Sequence, residues 1–185
     1  MIIEKAIKRI RNEEIRAMTQ FFYEKYKNKI EELPASISGK YHLGENHRVH
    51  IERVLFFVNH LIKEFNIKGN DKDILISASI LHDMSKYEFI SKERFNDEWQ
   101  RLFPTGYNDS KEEWLYHPTI AQYLIGKYII DNRKLIPEFF TIGKVVSSHM
   151  SHWLEDFNNR PNKLLEYILC TADYFASRKE IEIKE

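Results

Sequence analysis

The chain has 185 residues, 43% of them apolar and 14% aromatic, which suits one domain with a substantial core. Lys plus Arg and Asp plus Glu each number 28, so the global basic surplus of a protein that coats duplex nucleic acid is absent. One cysteine excludes a disulfide framework and a thiolate metal cluster, and no apolar run approaches the ~20 residues of a membrane span, so a cytoplasmic protein is expected.

Six glycines and five prolines leave few turn signals, and no segment alternates with period two. Apolar positions recur instead at three and four, which predicts an all-α, single-domain helical bundle over 1–185. The first helix is expected over 2–31, ended by Pro34 and "SISGK". The second, over 46–65, carries the stripe Val54, Val58, Leu61 and Phe65, which runs upstream onto His50, with His47 one turn earlier. In the third, over 71–84, Ile74, Ala78 and Leu81 lead to His82 and Asp83 in the last turn. Residues 86–116 read as an insertion with one short helix near 91–102 and a turn at 104–109. Its aromatics Tyr87, Phe89, Phe95, Trp99 and Tyr107 either pack it onto the bundle or stack on a base. Pro118, Pro137 and Pro161 each suit the first turn of a helix, giving 118–131, 137–152 and 161–178. His117, His149 and Asp173 belong to these segments, and Cys170 reads as a small core residue.

An unpaired carboxylate removed from water costs several kcal/mol, so Asp83 and Asp173, both beside apolar stripes, need a cation, a metal or several donors. His50, His82, His117 and His149 lie on segments that converge in a bundle core, and bundles build metal sites from such inward side chains. Imidazoles and carboxylates without thiolates suit Fe, Mn, Co or Zn better than Ca. Four histidines and two aspartates suffice for two ions bridged by one carboxylate. His42, His47, His60 and His152 read as ordinary histidines, with His47 and His152 the candidates for supporting or substrate contacts.

The pieces "HIERV" (His50, Arg53, Val54), "LHDMSK", "HPTIA" with His117, "SSHMSHW" with His149 and "ADYFASRK" with Asp173 follow one another over residues 45–178. In that order they resemble the HD-domain superfamily of metal-dependent phosphohydrolases. The resemblance implies that His50, His82, Asp83 and Asp173 bind a first metal, and that Asp83 bridges to a second completed by His117 and His149. It implies two divalent transition-metal ions, Fe or Mn preferred, and hydrolysis of a phosphomonoester or phosphodiester by metal-bound hydroxide oriented by Asp83. Lys86 stands where the family's motif carries a lysine and is expected to bind the substrate phosphate, while Ser85 replaces the motif's glycine. Arg53 and Arg178 are taken as structural. The substrate implied is a nucleotide or other small phosphorylated molecule, and the missing G-Y-P element disfavours cyclic di-GMP. Two alternatives stand beside this reading: a mixed-valence di-iron oxygenase with the same ligand order, and a non-catalytic nucleotide-binding module.

Overall fold

A computed structural model describes residues 2–33, 35, 46–89, 111–150 and 160–178, through the backbone alone at 89 and 111–116. Pro34 and "SISGK", His42, the short helix at 91–102, the turn at 104–109, Phe95, Trp99, Tyr107 and His152 lie outside the described residues. The described chain is a helical bundle built from α1 (Ile2–Arg9), α2 (Glu13–Glu32), α3 (His47–Glu64), α4 (Gly69–Leu81), the single turn α5 (Lys86–Phe89), α6 (Lys111–Asn132), α7 (Pro137–Ser147) and α8 (Leu164–Ala176).

Helix α4 is the axis of the bundle. It packs against α1, α2, α3, α7 and α8, and every residue from Asp73 to Leu81 is buried. A helix surrounded on all sides needs no polar face, and beyond its exposed first turn this one is apolar around its circumference apart from Asp73, Ser77 and Ser79. Each of those three has a partner. Ser77 shares a 2.7 Å hydrogen bond with Thr19 of α2, and Ser79 donates to the Leu75 carbonyl at 2.7 Å. Around this axis the outer helices are one-sided. Helix α2 buries Ile15, Met18, Phe22 and Tyr26, and α3 buries Ile51, Val54, Leu55, Val58 and Ile62. On α3 the seam therefore runs through Ile62 rather than the expected Phe65, which is exposed just past the helix end.

The expected helix over 2–31 is two helices, and the reason lies far away in sequence. Oδ2 of Asp73 accepts from the main-chain N–H groups of Arg11 at 3.0 Å and Asn12 at 2.8 Å, while Asn12 caps α2 by accepting from Glu14 and Ile15. The buried carboxylate thus satisfies main-chain donors at the chain break, whose local mark is the cap residue Asn12 followed by Glu13 and Glu14. Pro118 likewise does not open a helix, because α6 begins at Lys111 and carries it inside. Its missing N–H cannot bond the carbonyl four residues back, a defect that interior prolines impose. Helix α7 starts at Pro137 as expected but stops at Ser147, and residues 148–150 form a turn. Helix α8 starts three residues after Pro161.

Candidate metal centre

At its C-terminal end α4 passes into a turn over residues 82–85 and then into α5, so His82 is the cap residue and Asp83 is the first residue beyond it. Opposite stand His50 from the first turns of α3, Asp173 from the last turn of α8, His117 from α6 and His149 just past the end of α7. Each histidine is at most 2% exposed, as is Asp83, and Asp173 is 9% exposed. The turn is what lets two adjacent side chains of one segment enter the same cavity, a placement a continuous helix would deny them because neighbours there diverge.

The six side chains gather on two sides of Asp83, and His82, His149 and Asp173 also approach one another across them. On one side, Nε2 of His50 lies 3.2 Å from Nε2 of His82 and 3.0 Å from Oδ1 of Asp173. Oδ2 of Asp83 lies 3.4 Å from Nε2 of His82 and 3.8 Å from Nε2 of His50. On the other side, Oδ1 of Asp83 faces Nε2 of His117 at 2.9 Å and Nε2 of His149 at 3.5 Å, and those two nitrogens are 3.1 Å apart. Among the described residues, His50–His82–Asp83, His82–His149–Asp173 and Asp83–His117–His149 each bring three ligand atoms within 4.8 Å of one another.

Main-chain carbonyls orient two of the rings. Nδ1 of His82 donates to the Ser79 carbonyl at 2.9 Å, and Nδ1 of His149 donates to the Val146 carbonyl at 2.6 Å. Such bonds turn Nε2 into the centre and leave it as the atom a metal would meet. Oδ1 of Asp83 is buried and accepts no hydrogen bond of normal geometry. Crowded imidazole nitrogens around a buried carboxylate oxygen are what a divalent cation relieves, so the donor set fits metal ions. The buried His and Asp groups could therefore hold metal, with oxygen and nitrogen donors only.

The electrostatics fall in line with this arrangement. Burial lowers the imidazoles of His47, His50 and His117 to about 4 in each case, leaving them neutral, as metal binding would require of His50 and His117. His82 moves the other way: burial lowers it, but the charges of Asp83 and Asp173 and their hydrogen bonds outweigh burial and raise it to about 10. Burial would raise Asp83, yet the cations of Lys86 and His82 hold it well below the usual carboxylate range. Asp173 is held low against burial by hydrogen bonds from His50 and His82.

Three further residues touch the centre. Lys86 is buried, and its Nζ donates to Oδ2 of Asp83 at 2.5 Å, so in this structure its ammonium neutralises the shared carboxylate. The hydroxyl of Ser85 donates to the His117 carbonyl at 2.5 Å and ties the turn to α6. His47, read from the sequence only as a candidate supporting contact, has Nε2 2.9 Å from Oδ2 of Asp83 and is 1% exposed. The available signal was its position three residues before His50, which places both on one helix face. Tyr87 packs over His47 with ring centroids 5.1 Å apart rather than reaching outward. Arg53 acts as a brace, donating from Nη2 to the Arg178 carbonyl at 2.8 Å and so joining α3 to the end of α8. His60 is exposed and donates from Nδ1 to the Phe56 carbonyl of its own helix at 2.9 Å.

No family model, curated protein or solved structure matches this chain. Among the described residues no helix is long and apolar enough to cross a membrane.

Proposed function

We propose that the protein is an HD-type, metal-dependent phosphohydrolase with two ions at one centre, acting on a phosphomonoester or phosphodiester of a nucleotide or another small phosphorylated molecule. The observation that carries this reading is the division of Asp83, whose Oδ2 faces the His50, His82 and Asp173 group while Oδ1 faces His117 and His149. A carboxylate with one oxygen toward each of two imidazole groups is the arrangement a bridging ligand requires. The sequence order of the six residues, which resembles the HD superfamily, supports the same reading.

His50, His82, Asp83 and Asp173 would hold one ion and Asp83, His117 and His149 the other, with Fe or Mn as the proposed metals. When bound, such a pair acidifies water and polarises a phosphoryl oxygen. The chain supplies orientation around it. The Ser79 and Val146 carbonyls fix the rings of His82 and His149, and Asp83 orients the attacking water between the two groups. Lys86 brings a buried cation to the edge of the centre, on a flexible stem suited to meeting a phosphoryl oxygen as a point charge.

The test is turnover without oxygen. Protein loaded with Mn under anaerobic conditions should release phosphate or a nucleoside from members of a panel of nucleotides and small phosphoesters. Iron-dependent oxygen consumption without phosphoester cleavage would contradict the hydrolase reading. So would tight nucleotide binding with no turnover across the panel.

A further inference from the structure

His47 donates its hydrogen bond to the same carboxylate oxygen that Lys86 contacts, and both partners of that bond are buried. A carboxylate only accepts, so the imidazole Nε2–H is the donor. The two donors differ in stiffness. Lys86 reaches Asp83 on a four-carbon stem, whereas His47 is fixed in the first turn of α3, which Asn46 caps by accepting from Val49 at 3.2 Å. Its ring is also wedged between those of His50, at 5.8 Å, and Tyr87, at 5.1 Å. Only the rigid donor can set the rotation of the Asp83 carboxylate.

That rotation matters unequally to the two groups. Turning the carboxylate about its Cβ–Cγ bond moves Oδ1 away from His117 and His149; among the described ligand groups His117 meets no carboxylate but Asp83, while His149 also comes close to Asp173. The first group keeps His50, His82 and the independent carboxylate of Asp173 whatever Asp83 does. We propose that His47 is a positioning residue: by holding Oδ2 of Asp83 it keeps Oδ1 aimed at His117 and His149, and so sets the affinity of the second metal pocket. This rests on the dinuclear reading above.

The experiment is a Mn titration, followed by calorimetry and by the exchange-coupled dimanganese spectrum, on the wild-type protein, His47→Phe and His47→Gln. Phenylalanine keeps a ring against Tyr87 and removes the donor, and glutamine restores an N–H at similar reach. His47→Phe should bind the first ion as wild type does but bind the second about 10–100-fold more weakly, the usual effect of losing an outer hydrogen-bonding partner, and should lose the coupled signal. His47→Gln should recover both within a few fold, and it decides the matter alone if His47→Phe does not fold. Two ions bound by His47→Phe as tightly as by wild type would overturn the role of His47 and leave the dinuclear reading intact. Equal loss of both ions, or a folded His47→Gln that still lacks the second, would also overturn it. A wild-type protein that takes up fewer than two ions overturns the dinuclear reading and this inference with it.

Discussion

Asp73 and Asp83 are the same residue type, both buried at 3% and 2% exposure, at opposite ends of the same central helix and its following turn, yet they do different work. Asp73 accepts from two main-chain N–H groups and holds the break between α1 and α2. Asp83 is ringed by imidazole nitrogens and one ammonium, with one oxygen that takes no ordinary hydrogen bond. Burial of a carboxylate therefore says only that a partner exists. The kind of partner separates the two: orphan backbone donors make a structural carboxylate, and ring nitrogens that also crowd one another make one that could hold a metal.

The contrast is sharpest in paired substitutions. Asp83→Ala removes the proposed bridging ligand, so phosphoester turnover and affinity for the second ion should each fall by more than about 100-fold, beyond the loss caused by removing an outer partner, while far-ultraviolet circular dichroism stays near that of wild type. An active Asp83→Ala protein would break the comparison. His117→Ala should leave the first group untouched and halve the Mn bound per chain in elemental analysis, since it lies only in the group around Oδ1 of Asp83. Asp73→Ala should show the reverse pattern. It strands the N–H groups of Arg11 and Asn12 and should cost about 1–3 kcal/mol in urea unfolding, with metal content unchanged.

The smallest effect concerns protons. His82 is raised to about 10 in the metal-free protein, so it contributes stability that is full below its unfolded value of 6.5 and is lost as pH climbs through about 10. Metal requires the imidazole without that proton, whereas His47, His50 and His117, lowered to about 4, are already neutral at pH 8. Mn added to metal-free protein at pH 8 should release about one proton per chain, read with an indicator dye, and the metal-free protein should unfold more easily at pH 9.5 than at pH 7. Asp83→Ala, which removes the main charge sustaining the His82 proton, should diminish both effects.

Much of this was legible in the sequence because it depended on local pattern. The stripe ending at His50 placed α3 within a residue at each end, Pro137 marked the start of α7, and the six candidate ligands lie together in the structure. What escaped was set by tertiary contact. The break after Arg9 depends on a carboxylate about sixty residues later in the chain, so α1 and α2 read as one helix. Pro118 resembled a helix start, but α6 begins at Lys111 and carries the proline inside. His47, one turn before His50, was legible as a candidate supporting contact, but its partner Asp83 was not, because that contact is made across the core.

The central claim is that Asp83 joins two metal pockets, and the most direct measurement is the metal content of protein isolated without added metal and without oxygen, set beside His117→Ala. About two transition-metal ions per chain, falling to about one in the variant, is the expected result. One ion in both proteins would contradict the bridge, and none in either would contradict the metal centre itself.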